Sequence, residues 1–215
     1  MVRMYAMDAV KLIKDCGEPY SKMLGIGLEA GDPAYVEWLL AAILYAKPIR
    51  EESATKTFKA FESAGLTDAR SISGAGWDRL VEILDKGGYT RYDFSTADRL
   101  LEIFGNLEKN YGGSLQRLYD ACRDEEDLER RIMALGKGIG PVTVSVFLRD
   151  MQYVWPKAHP RPTPRVKKAS EALGIGNVEG YARGHGLDII ELETALHRYS
   201  RALAGRSKGP ECLRR

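Results

Sequence analysis

Strong metal ligands and long apolar runs are scarce in this chain of 215 residues, which has three cysteines and three histidines. A membrane-spanning helix needs about 20 consecutive apolar residues. No run approaches that, so neither a transmembrane segment nor a membrane partner is expected. Cys16, Cys122 and Cys212 stand far apart, with neither pairing nor metal-ligand spacing. That usage suits a reduced compartment and a cytoplasmic location. His185 and His197 have no companions at ligand spacing, so no metal is assigned. The alternating apolar pattern that would mark strands is missing as well. There is no internal repeat, no low-complexity segment and no evident linker. The opening MVRMYAMDAVKLIKD has no signal-peptide apolar core. The formal charge is only +2, so the placement of charge matters more than its sum.

At 44% hydrophobic and 29% charged, the composition is that of a soluble globular protein. The length suffices for a sizeable core, as one domain or two small lobes. The patterning predicts an all-α chain. Helices are expected over 8–15, 34–46, 51–64, 77–85, 95–111, 114–121, 127–135, 142–153, 165–173 and 188–203. Asp32-Pro33 reads as an N-cap followed by proline at the first helical position. Asp93 or Ser95 reads as the cap of the helix ending at Tyr111. Ser71–Gly76 reads as a turn-rich link, and Trp155–Pro164, with four prolines, as non-helical. The tail 205–215 is basic and expected to fray.

Ala134–Asp150, ALGKGIGPVTVSVFLRD, stands apart. Gly138-Ile139-Gly140 permits a tight turn with positive φ, and Pro141 suits the first turn of a helix. The unit reads as helix, short hairpin, helix. Amides in such a turn suit a phosphate oxygen, and Lys137 stands beside them. Downstream, Met151–Ser170 holds Lys157, Arg161, Arg165, Lys167 and Lys168 with no acidic residue, an electrostatic footprint for nucleic acid.

The hairpin and its flanks resemble the helix-hairpin-helix DNA glycosylase superfamily, endonuclease III-like group. The family hairpin reads Leu-Pro-Gly-Val-Gly-x-Lys-Thr-Ala. Leu135, Gly138, Ile139, Gly140, Val142 and Thr143 fall on it, with one extra residue between Leu135 and Gly138. Leu40–Thr57 resembles the family's early helix and duplex-probing loop, Ile83–Leu101 its Gly-x-Tyr segment, and Trp155–Val166 its Asp-bearing loop. The resemblance implies two helical lobes with a cleft between them: residues 35–140 as a six-helix lobe ending in the hairpin, and 1–34 with 141–215 as the second.

Carried over residue by residue, it implies a monomer that binds double-stranded DNA through Lys137, Gly138, Ile139, Gly140, Val142 and Thr143. Lys47, Arg50, Lys157 and Arg161 would contact the duplex as well. Tyr89, Arg91 and Tyr92 would line a pocket for an everted base. A structural monovalent or divalent cation at the hairpin is compatible with this. Three departures limit the carry-over. Val142 stands where bifunctional members have a lysine nucleophile, so no Schiff base and no strand cleavage by that route is expected. Three scattered cysteines exclude a four-cysteine iron–sulfur cluster. The family aspartate position, about 18 residues beyond Val142, falls on Pro160, between His159 and Arg161. Asp150 and His159 are the remaining candidates to assist an attacking water. The expected function is therefore a monofunctional base-excision glycosylase. The alternatives are a degenerate, lesion-sensing protein of the same fold, or an all-α interaction protein that uses the hairpin for packing.

Overall fold

A computed structural model describes residues 9–203 and 211–213, and the statements below concern these. They form thirteen α-helices and two 3-10 turns, with no strand. In order the helices are α1 (Ala9–Cys16), α2 (Tyr20–Leu24), α3 (Asp32–Tyr45), α4 (Glu51–Ser63), α5 (Ala69–Gly74), α6 (Trp77–Gly87) and α7 (Asp93–Tyr111). After these come α8 (Leu115–Asp120), α9 (Glu125–Met133), α10 (Pro141–Met151), α11 (Pro164–Ala172), α12 (Val178–His185) and α13 (Ile189–Leu203). The all-α expectation agrees with this. No described helix is long and apolar enough to cross a membrane.

The chain divides into two units, Leu24–Pro160 and the described residues of Met1–Met23 with Arg161–Arg215. Both bounds differ from the expected 34/35 and 140/141. The hairpin and all of α10 lie within the first of these units, because α10 packs on α3 and α9.

Helix α3 is the core of the 24–160 unit. Nearly every side chain from Ala34 to Tyr45 is buried, Glu37 being the exception. A helix apolar all round has no face to offer water and must be covered on all sides. Helices α4, α8 and α10 supply the cover. Trp38 donates its indole N–H to the Phe147 carbonyl at 2.9 Å, which ties α3 to α10. Helices α4 and α6 approach so closely that a Cβ on Gly87 would stand 2.5 Å from the Thr57 Cα. Asp32 is not the cap of α3 but its first residue, after Gly31. Its carboxylate instead accepts from the Gln116 amide at 2.7 Å, so it caps the first turn of α8.

Two further caps differ from expectation. The segment read as a link is α5, held by a reciprocal cap between Asp68 and Ser71. Helix α7 begins after Tyr92 with no side-chain cap; the Asp93 carboxylate accepts from the next amide, that of Phe94.

In the other unit, α13 packs against α1, α11 and α12. Leu192 and Leu196 are fully buried against Ala9, Val166, Ile175 and Ala182. Buried Arg198 donates to the carbonyls of Cys16 (2.7 Å) and Glu18 (2.6 Å) and lies 4.3 Å from the Tyr20 ring centre. A cation there suits the carbonyl end of α1. Helices α2 and α12 were not foreseen. The pairing expectation is overturned: Cys16 and Cys212 form a disulfide, their Cα atoms 5.4 Å apart. The turn Glu211–Leu213 packs on α1, so distance along the chain did not preclude the bond. Cys122 is the free, buried thiol among the described residues. Asp8 and most of the expected frayed tail lie outside the described residues.

Candidate nucleic-acid interface

The hairpin is set by the helices on either side and by a third beneath it. Asp124 caps α9 by accepting from the Asp127 amide. Leu135 and Ile139 are buried and fasten the turn, leaving Lys137 exposed between them. Across the turn runs one stripe of α7: Arg99, Glu102, Ile103 and Asn106. Their spacing of three and four residues puts them on one helix face. Asn106 donates its side-chain amide to the Leu135 carbonyl at 2.8 Å. Ile103 and Glu102 fill the space where Gly136 would carry a Cβ, and Arg99 does the same at Gly138, with its Cδ 2.5 Å from that position. The Glu102 carboxylate accepts from the Lys137 amide at 3.2 Å.

The two hairpin glycines are not equivalent. Gly138 has φ +101°, a conformation that side chains resist. Gly140 is extended at φ −110° and ψ −177°, and a Cβ there would meet nothing within 4 Å. The expectation of positive φ therefore holds for Gly138 alone. Gly140 caps α10, Pro141 opens it, and the Gly140 carbonyl accepts from the Val144 amide at 3.0 Å. Val142 is 40% exposed, whereas Thr143 is buried and reaches back to the Gly138 carbonyl. Ile139 and Thr143 thus shape the turn from inside, while Lys137, Gly140 and Val142 face outward. A cation held by hairpin carbonyls would share those of Leu135, Gly138 and Gly140 with the donors just named.

Lys47, just after α3, is half-buried. Burial, and next the charge of Arg99, hold its amine below the usual lysine range. Neither Lys47 nor Arg99 makes an ion pair with a described residue. Arg50 is exposed at the start of α4.

The three expected pocket residues are not brought together as a surface. Tyr89 is buried, and its hydroxyl donates to the Leu44 carbonyl at 2.6 Å. Its neighbours Arg91 and Tyr92 lie nearer the surface, the guanidinium 5.8 Å from the Tyr92 ring centre. The exposed aromatic of this stretch is Phe94, 5.2 Å from Trp77.

Asp150 is fully buried, with its Oδ1 3.3 Å from the Arg149 Nε. His159 is exposed on a loop whose anchor is Trp155. The Trp155 ring stacks on Tyr119 at 4.7 Å and meets Tyr35 and Phe147 edge-on. Lys157 is engaged within the protein, its amine on the Cys122 carbonyl and 4.7 Å from the Tyr119 ring centre. Arg161 is exposed, at the start of the other unit. Sequence reasoning missed Arg99 and Glu102. The 99/102/103/106 stripe was visible in the sequence, but not that it meets the hairpin.

No group of three or more His, Cys, Asp or Glu that could hold a metal ion occurs among the described residues. Comparison with family models, curated proteins and solved structures finds no match to this chain.

Proposed function

We propose that this chain binds double-stranded DNA through the hairpin and acts on it as a monofunctional base-excision glycosylase, hydrolysing the N-glycosidic bond of a damaged or mismatched base. The observation that carries the reading is the hairpin itself. It has a left-handed Gly138, an open Gly140, an exposed Lys137 and the first turn of α10. Amides and positive charge gathered on a turn that a backbone can approach closely suit a phosphodiester. Val142 supplies no amine, so the chemistry is hydrolysis without a Schiff base. His159, exposed on the loop after Trp155, is the candidate to assist the attacking water in this reading. The target base must leave the stack for its bond to be reached.

A second reading, a sensor of distorted DNA without turnover, draws its support from Asp150. Fully buried beside Arg149, that carboxylate is poorly placed to meet substrate.

Two experiments separate these readings. Duplex binding at two salt concentrations must weaken steeply with salt, and no binding to any duplex refutes both. Single-turnover assays on duplexes carrying deaminated, oxidised, alkylated or mismatched bases then look for abasic sites. Product that disappears in His159→Ala supports the enzyme. Binding without product across the panel favours the sensor, and activity gained in His159→Asp identifies the missing carboxylate.

A further inference from the structure

Of the three tryptophans in the chain, Trp38 and Trp155 are buried, whereas Trp77, the first residue of α6, keeps 38% of its surface exposed. Its ring lies 5.2 Å from that of Phe94, which is 59% exposed in the first turn of α7. The two planes are tilted by 36°, so the rings lean together as one aromatic face. Trp77 is also held in place: its Nε1–H donates to the Asp98 carboxylate at 2.9 Å. Phe94 and Asp98, four residues apart, share one side of α7. Asp98 and Arg99 are adjacent, so that side is turned about 100° from the stripe that meets the hairpin. Exposed aromatics fixed in this way are the side chains that carry binding energy when a partner covers them.

Each ring has an aspartate beside it in sequence, as Trp77-Asp78 and Asp93-Phe94. With Asp98, three carboxylates stand next to the pair. Asp78 and Asp98 are exposed and Asp93 partly so, and none of the three makes an ion pair among the described residues. The cations nearest in sequence are engaged elsewhere. Arg79 and Lys86 pair with Glu82, Arg91 lies by the Tyr92 ring, and Arg99 lies against Gly138. The face is therefore aromatic and negative, which is unfavourable for the phosphates of a duplex. It is complementary to a cation, and above all to a guanidinium, which stacks flat on a ring while its N–H groups reach carboxylates.

We propose that Trp77, Phe94 and the three aspartates form a docking surface for a partner protein, which presents an arginine-bearing basic segment to it. A guanidinium of the partner stacks on the ring pair and donates to the neighbouring carboxylates. The surface is separate from the hairpin, and the inference does not depend on the DNA reading.

The test uses the full chain and a blocked peptide, acetyl-Arg-Gly-Arg-Gly-Arg-amide, with its lysine counterpart. Because Trp77 is the exposed tryptophan, acrylamide quenching of tryptophan emission reads this surface. The arginine peptide should shield Trp77 from acrylamide, and at lower concentration than the lysine peptide. Phe94→Ser, a change at an exposed position, should weaken binding about threefold to fivefold. Asp78→Asn/Asp98→Asn keeps an oxygen acceptor for the indole; it should weaken binding by about the same factor and flatten its salt dependence. Glu82→Gln, on the same helix but already paired, should change nothing. No shielding, equal affinity for the lysine peptide, wild-type affinity in either patch variant, or an equal loss in Glu82→Gln refutes the surface. Shielding that grows with protein concentration in the absence of peptide shows a second copy on this face and overturns the basic partner. A duplex that shields Trp77 puts the face in the DNA contact and overturns it as well. A chain that binds the arginine peptide but no duplex loses the DNA reading and keeps this surface.

Discussion

Replacing each hairpin glycine by alanine separates two roles that one motif combines. At Gly138 the backbone stands at φ +101°. An alanine held in left-handed backbone costs about 1–2 kcal/mol. Its Cβ would also lie 2.5 Å from the Arg99 Cδ, and making room adds about 1–2 kcal/mol. Gly138→Ala should therefore lose about 2–4 kcal/mol, a large part of a typical 5–15 kcal/mol stability. At Gly140 the backbone is extended and the Cβ position is open. Alanine fits there and reduces the freedom of the unfolded chain, so Gly140→Ala should be neutral or gain up to about 1 kcal/mol. If the hairpin grips DNA as proposed, its methyl stands in the open space a phosphate would enter and holds that phosphate off the amides. Duplex affinity should fall about tenfold, the equivalent of 1.4 kcal/mol. Urea unfolding followed by circular dichroism reads the first quantity, and fluorescence anisotropy of a labelled duplex reads the second. Wild-type affinity in a fully folded Gly140→Ala would refute backbone contact at this turn. Wild-type stability in Gly138→Ala would refute the account of the left-handed residue.

Three other perturbations test the frame around the site. Gly87→Ala places a methyl within 2.5 Å of the Thr57 backbone; it should cost at least about 1–3 kcal/mol, read as a melting point lowered by about 5 °C, and an unchanged melting point would contradict the close approach of α4 and α6. Cys16→Ser, or a reductant, removes a link between positions 196 apart in sequence, with a chain-entropy ceiling of about 5 kcal/mol; the melting point should fall with either, and the reductant should do nothing further to Cys16→Ser. The Asp127 carboxyl is held below the usual carboxylate range, first by the Arg123 amide; burial opposes this, and Arg131 and Arg130 add to the lowering. A depressed acid contributes stability above its ordinary pKa and loses it as pH falls through the folded value. Asp127→Asn should therefore be less stable near neutrality and show a flatter acid limb, and parallel acid limbs would contradict the assignment.

Local chemistry was legible in the sequence where one residue type forces one outcome. The unbroken apolar run of α3 had to be buried, and the prolines after Trp155 had to interrupt the helix. Helix α5 was hidden because Ser71, Ser73 and Gly74 resemble a loop, and its Asp68–Ser71 cap was not recognised. Helix α12 contains Gly180 and Gly184 within eight residues, a poor intrinsic helix. It stands by its Asn177 cap and by packing on α13. At the site, the hairpin glycines declared themselves. Tyr89 did not, because an aromatic beside an arginine reads the same whether its hydroxyl faces solvent or the Leu44 carbonyl. Arg99 could not be assigned without knowing which stripe of α7 lies under residues 135–138. Cys16 and Cys212 could not be matched from spacing, because their partnership is decided by how a C-terminal turn meets α1.

That last bond changes the covalent topology of the molecule. With Cys16 joined to Cys212, nearly the whole chain is a closed loop. A protease that cuts any one peptide bond inside the loop opens it without releasing a fragment, and the nicked protein keeps its mass on a non-reducing gel. Two cuts are needed to free a piece. Because both loop ends belong to the same unit, the 24–160 unit is an insertion covalently closed at its base. Its two connections to the other unit stay tethered through α1 and the Glu211–Leu213 turn even when either connection is severed.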